Sequence, residues 1–186
     1  MRRLPGARLR KLSTPDLTPS EVDIIRSVLV AAFGSDEEER FTDDDWDHAL
    51  GGVHFVLDVG GEIVTHASVV ERELHIDRHP VRAGYVEAVG TAAGREGAGF
   101  GSLVIAAVSA YIRDGFELGA LGTGRHHFYE RLGWERWKGP SFARTAAGER
   151  PTRDDDGYIL VLRTPTSPPL DLTAPIVCEE RQGDDW

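Results

Sequence analysis

The residues best equipped for chemistry lie between Gly84 and Ala110. Tyr85 to Thr91 is a short, mostly apolar run of the kind a buried strand needs, and one carboxylate, Glu87, interrupts it. A carboxylate among apolar neighbours is either employed or paired with a buried cation. Employed, Glu87 is the best candidate for a general base, directly or through a water. Gly94, Gly97, Gly99 and Gly101 then crowd a turn, and from Phe100 apolar residues recur at helical spacing: Phe100, Leu103, Val104, Ala107, Val108, Tyr111 and Ile112. A glycine loop feeding a helix N-terminus offers unpaired N–H groups and the positive end of the helix dipole, which suits phosphate. No Lys follows the last glycine, as a P-loop needs, and Gly97-x-Gly99-x-x-Ser102 is a weak dinucleotide match. The competing reading is an ordinary strand–turn–helix without a ligand.

Other elements must position these groups. Ala7 to Leu12 alternates as a short strand. Thr18, Pro19 and Glu21 are start signals for a helix (cap, first position, capping box), with Leu17 stapling to Val22 and Gly34 as the stop. That helix is expected to bury Val22, Ile25, Val28, Leu29, Ala32 and Phe33. Ser35 to Arg40 reads as a charged loop. A second start follows at Thr42, with Phe41 stapling to Trp46, and this helix ends at Gly51-Gly52. Its acids, Asp45 among them, favour the first turn and read first as helix-dipole partners. Val53 to Val59 and Ile63 to Leu74 form a hairpin about Gly60-Gly61-Glu62, and a turn at Asp77 to Pro80 leads into the strand of Glu87. Beyond the glycine-started helix come a strand (Phe116 to Leu121), a short helix (His126 to Leu132), two strands (Trp134 to Lys138, Gly157 to Leu162) and a strand-like Leu170 to Cys178. Tyr129 on the short helix is either ordinary core or an acid. The expected class is α+β, a mixed and mostly antiparallel central sheet with helices on both faces.

At 186 residues the chain fits one domain. Its net charge of −10 argues against nucleic acid and anionic membranes and permits a cationic substrate. The single cysteine, Cys178, allows no intrachain disulfide and fits a reducing compartment, hence the cytoplasm. The start, MRRLPGARLRKL, lacks the apolar core of a secretory signal, and no run is long enough for a membrane helix. The seven histidines show no zinc spacing, so no metal is expected.

The glycine stretch resembles the pyrophosphate loop of the GNAT acyltransferases, Arg/Gln-x-x-Gly-x-Gly/Ala, laid on Glu96 to Gly101. Both glycines fit; Glu96 stands where the family has a basic residue, with Arg95 beside it. The element order β-α-α-β-β-β-α-β-α-β-β is also the GNAT order. The resemblance implies acetyl-CoA as donor, held by Val89 and Thr91 through their backbone and by Arg95, Gly97, Gly99 and Gly101 at the pyrophosphate. Acetyl transfer to an amine needs a base for the amine, a stabilised oxyanion and an acid for the departing thiolate. No covalent intermediate is required. Glu87 and Tyr129 would be base and acid, with N–H groups near Val89 polarising the thioester.

A narrower resemblance is to the aminoglycoside 2′-N-acetyltransferases. It rests on Phe41-Thr-Asp-Asp-Asp-Trp46, His48-Ala-Leu-Gly-Gly52, Gly84-Tyr-Val-Glu87, Leu118-Gly-Ala-Leu121, Tyr129 with Gly133-Trp134, Gly139-Pro140, Asp154-Asp-Asp-Gly157 and a terminal Trp186, in order and at near-constant spacing. It implies a cationic amino-sugar acceptor bound by Asp45, Glu87, Asp155, Asp184 and the Trp186 carboxylate, and a homodimer. The acidic tail, residues 179–186, is then docked at the acceptor site of one domain spanning 1–186. Arg40 stands where the family often has an acid, and Gly122-Thr-Gly124 is shorter than in better-known members. Arg40 would suit the carboxylate of kasugamycin, a related 2′-amine substrate. Two other classes compete: a GNAT enzyme for a peptide N-terminus or polyamine, and a non-catalytic protein that binds cationic drugs.

Overall fold

The computed structural model describes residues 6–34 and 40–186. The readings on Met1 to Pro5 and Ser35 to Glu39 therefore lie outside the described residues. The chain divides into two compact units, Met1–Val70 with Val86–Val108, and Glu71–Tyr85 with Ser109–Trp186.

The first unit begins with β1 (Ala7–Ser13), antiparallel to β2 (Val53–Val59), which pairs with β3 (Glu62–Ile76) across a Gly60-Gly61 turn. Both turn glycines have positive φ (63° and 89°), the backbone a two-residue hairpin needs. Next to β3 runs β4 (His79–Thr91). Both β3 and β4 continue through both units.

Two helices cover the sheet of this unit, and both start as the sequence dictates. Helix α1 (Pro19–Phe33) is capped by Thr18, whose Oγ1 accepts from Glu21 N while Glu21 returns to Thr18 N; Gly34 ends it. Arg10 on β1 donates to Glu21 at 2.5 Å and to Asp58 at 2.7 Å, which ties the helix start to the strands. Helix α2 (Asp43–His48) repeats the device, with Thr42 and Asp45 exchanging bonds. Each such cap stabilises by about 1 kcal/mol. The apolar faces meet in a core of Leu17, Ile25, Leu29, Phe41, Trp46, Ala49, Val56 and Ala88, with Val22 packed against it. Gly90 on β4 is what lets α1 come so close: a Cβ there would lie 2.9 Å from Leu29 Cδ2. Phe33 departs from expectation. It is 40% exposed in the last turn of the helix, where its ring lies 5.5 Å from that of Phe41.

In the second unit β5 (Leu118–Gly122) runs parallel to β4 and antiparallel to β9 (Ile159–Arg163), and β6 (Glu135–Arg136) closes that edge. On the other side of β3 lie β10 (Ile176–Glu179), antiparallel to it, then β7 (Ser141–Thr145) parallel to β10, then β8 (Gly148–Pro151). Helix α3 (Phe100–Gly115) begins in the first unit and ends in the second; α4 (His126–Glu130) follows β5. The expected α+β class with a mixed, mostly antiparallel sheet is what forms. The strands expected at Phe116 and Gly157 start two residues later, at Leu118 and Ile159, and three other segments are markedly shorter than expected. Trp134 to Lys138 pairs over two residues only, His126 to Leu132 is helical to Glu130, and Leu170 to Cys178 is strand from Ile176. Prolines at 168, 169 and 175 hold Leu170 to Pro175 out of a ladder. The β7–β8 hairpin, with β8 wholly exposed, carries no apolar alternation to announce it.

Candidate active site

The site is built on the second half of β4. Val86, Ala88 and Gly90 are buried, while Glu87, Val89 and Thr91 alternate with them and are half-buried. The strand is not regular here. Ala88 has φ +50°, a left-handed backbone that costs a non-glycine residue about 1–3 kcal/mol. Side chains of β3 hold both carbonyls at the break: Ser68 Oγ donates to Glu87 O at 3.4 Å, and His66 Nδ1 donates to Ala88 O at 2.8 Å. Thr91 Oγ1 meets Thr65 Oγ1 at 3.2 Å, and Ala92 N donates to Val64 O at 2.8 Å, which fixes the exit from the strand.

The glycine loop follows. Gly94, Gly97 and Gly99 all have positive φ (74°, 75° and 88°), and among the described residues no atom beyond their own chain neighbours lies within 4 Å of where their Cβ would be. Glu96 to Gly99 are exposed. The loop backbone is therefore open and leads directly into the first turn of the 16-residue α3. These features fit a pyrophosphate: exposed N–H groups, a helix dipole and no side chains in the way. Arg95, beside the loop, forms an exposed pair with Glu62 at 3.0 Å. Gly101 lies within the first turn of α3 rather than in the loop. Asp45 and Arg40 belong to this unit too. The Asp45 carboxylate accepts from Thr42 N and Oγ1, both at 2.7 Å, so it serves the helix start; Arg40 is exposed before that cap.

The second unit holds Tyr129, Asp155, Asp184 and Trp186. Tyr129 is 5% exposed, wedged edge-on to Phe128 at 4.9 Å and Trp134 at 6.0 Å. Burial raises its phenol above the usual value, so it stays protonated, as an acid must. The tail is packed. Trp186 is buried, and its Nε1 donates to Thr152 Oγ1 at 2.9 Å. Thr152 Oγ1 donates on to Ser141 Oγ at 2.7 Å, and that hydroxyl meets Asp156 Oδ1 at 2.8 Å. Arg72 Nη1 donates to Asp185 O at 2.8 Å while its guanidinium lies 4.7 Å from the Tyr85 ring centre. The Trp186 carboxyl carbon lies 3.4 Å from the position a Gly122 Cβ would take. Asp155, half-buried, feels the carboxylates of Asp184, Asp185, Asp154 and Asp156. Burial first, and then this repulsion, pushes its pKa up to about 6. A group so crowded by like charge favours a cation beside it.

Sequence reasoning overlooked three groups. Asp185, not the exposed Asp184, is the buried tail acid, paired with Arg150 at 2.7 Å. Thr152 and Arg72 anchor the tail, and nothing local in the sequence marks either. His54 and His66 are wholly buried in contact at 2.9 Å, where no metal spacing pointed to them. Among the described residues no cluster suits a metal ion, and no helix is long and apolar enough to cross a membrane.

Strand, left-handed turn, open glycine loop and long helix together fit a transferase that takes its acyl group from a CoA thioester. The family model "Acetyltransferase (GNAT) domain" matches residues 14–137. An aminoglycoside 2′-N-acetyltransferase from Mycolicibacterium fortuitum is 37% identical over 95% of this chain and 91% of its own length. The chain belongs to the GNAT acetyltransferase family, and to the same family within it as that relative. It is an acetyl-CoA-dependent N-acetyltransferase. The fold is that of GNAT structures. One is the GNAT N-acetyltransferase YhbS from Escherichia coli in complex with CoA, at a TM-score of 0.64 and 14% identity, covering 98% of this chain and 97% of that one. Another is a GCN5-related N-acetyltransferase from Kribbella flavida, at a TM-score of 0.57 and 24% identity; there 73% of this chain spans 34% of the other.

Proposed function

We propose that the protein transfers the acetyl group of acetyl-CoA to the 2′-amine of an aminoglycoside. The observation that carries the acceptor class is the gathering of carboxylates around Asp155, whose pKa burial first, and like charge second, pushes up to about 6. A polyamino sugar supplies the compensating positive charge through charge-assisted hydrogen bonds. The activity of the Mycolicibacterium fortuitum relative supports the 2′ position. In this reading Glu87 takes the proton from the acceptor amine, directly or through water, and Tyr129 protonates the departing thiolate. Val89 and Thr91 hold the pantetheine by their backbone. Gly97, Gly99 and Gly101 hold the pyrophosphate with Arg95. Asp155, Asp184 and the Trp186 carboxylate take the acceptor, with the carboxylate edge of Asp45 that does not cap α2.

The reaction uses acetyl-CoA, and we place it in the cytoplasm, in a homodimer. Arg40, in the place where the family often has an acid, supports kasugamycin, with its carboxylate, as the alternative acceptor within this class. The regiochemistry is tested by NMR of the acetylated product. Acetyl on the 2′-nitrogen is expected; acetyl on any other amine overturns the assignment.

A further inference from the structure

His54 and His66 lie on neighbouring strands, His54 opposite Ser68 and His66 opposite Val56, so they are diagonal neighbours on one face. Neither is exposed, and Trp46 lies over both, at 5.9 Å and 6.0 Å between ring centres. A buried imidazole needs partners for both nitrogens. Here they form a ladder. Thr14 Oγ1 meets His54 Nε2 at 2.9 Å, His54 Nδ1 meets His66 Nε2 at 2.9 Å, and His66 Nδ1 meets Ala88 O at 2.8 Å. At the far end Gly51 N donates to Thr14 Oγ1 at 2.9 Å.

The anchor sets the direction of every bond. A carbonyl only accepts, so His66 Nδ1 carries hydrogen. Burial keeps both rings neutral, pushing His54 down to about 4 and His66 to about 3. A neutral His66 therefore accepts at Nε2, which requires hydrogen on His54 Nδ1. His54 Nε2 in turn accepts from the Thr14 hydroxyl. Only one pattern of tautomers satisfies the ladder, and it ends on the carbonyl of the one left-handed residue in β4.

We infer that Thr14, His54 and His66 form a positioning relay for the reacting strand. The ladder holds the Ala88 carbonyl in its left-handed turn and so sets the direction of Glu87 on one side and the Val89 backbone on the other. His66 is a positioning residue and does not touch substrate. The inference rests on the proposed roles of Glu87 and Val89.

Paired substitutions separate this role from ordinary packing. Asn has its amide nitrogen where His carries Nδ1, so His66→Asn keeps the donor to Ala88. Gln has its amide where His carries Nε2, so His66→Gln keeps the contact with His54 and loses the tether. Activity is read on whichever amine in a panel the wild type acetylates fastest. We expect His66→Gln to lower kcat about 10–100-fold, with the KM for that amine little changed, and His66→Asn to recover most of the loss. Losses that are equal in the two variants, or that follow melting temperature, would overturn the relay. A wild type that prefers a non-sugar amine would count against the aminoglycoside reading while leaving the Gln-to-Asn ratio interpretable. Should either variant fail to fold, imidazole ¹⁵N NMR of the wild type decides. Hydrogen on Nδ1 of both rings, unchanged between about pH 6 and 8, supports the relay, and hydrogen on Nε2 of either ring contradicts it.

Discussion

At the residue scale, Glu87 and Tyr129 are proposed to take opposite halves of the proton traffic, and their surroundings differ in a way that supports this. Glu87 is half-buried beside a strained backbone; Tyr129 is buried with its phenol raised and protonated. Glu87→Gln and Tyr129→Phe are each expected to lower kcat by roughly 10²–10⁴-fold. Melting should barely change for Tyr129→Phe, because the ring keeps its edges against Phe128 and Trp134. Asp155 adds a pH dependence. Its folded pKa is raised to about 6 from an ordinary 3.8, so the folded state binds the proton more tightly than the unfolded chain. Stability from this group is present below the lower value and is lost as pH rises through about 6. Asp155→Asn should therefore raise the melting temperature at pH above 6 and do so less in more acidic solution. In the same direction, KM for a cationic acceptor should fall in the wild type as pH rises through that value. Melting curves and KM at several pH values check both. Glu87 was legible in the sequence as the lone charge in an apolar run. The His54–His66 pair was not, because its chemistry arises only when cross-strand register buries two rings that lie apart in the chain.

At the element scale, the strand, turn and helix from Tyr85 to Gly115 were readable because each part obeys a local rule: an apolar run, glycines at positive φ, a helical apolar period. The two helix starts were equally plain, since a Thr with an acid three residues on is a complete local device. The left-handed turn at Ala88 was hidden, because Ala is not a residue that ordinarily adopts positive φ. Its stabilisation comes from a histidine on another strand. The β7–β8 hairpin was hidden too; β7 finds its partner in β10, far along the chain. The loop carries its own prediction. Gly97→Ala places a side chain at φ +75°, at a cost of about 1–2 kcal/mol. KM for acetyl-CoA should rise about tenfold, with the KM of the acceptor unaffected. An unchanged KM for acetyl-CoA would remove Gly97 from the cofactor cradle.

At the scale of the whole molecule, the composition had one message, a net charge of −10, and the structure concentrates part of that charge in the second unit around Asp155 and the tail. The resemblance alone implied a docked tail, since termini ordinarily fray. Its anchors, Thr152, Arg72 and Arg150, come from distant segments, and this is why only the folded chain reveals them. Removing Asp184 to Trp186 should raise KM for the acceptor and leave KM for acetyl-CoA nearly constant. An equal rise in both, with a lowered melting temperature, would make the tail purely structural. Acceptor KM should also rise with salt, since exposed charge pairs are screened. The central claim, acetylation of a 2′-amine, is tested most directly by thiol release from acetyl-CoA with two aminoglycosides that differ only in a 2′-amine or a 2′-hydroxyl, and with kasugamycin alongside. Turnover of the 2′-amine and none of the 2′-hydroxyl compound is the predicted result. Equal turnover of the two, or turnover of neither aminoglycoside, would contradict it.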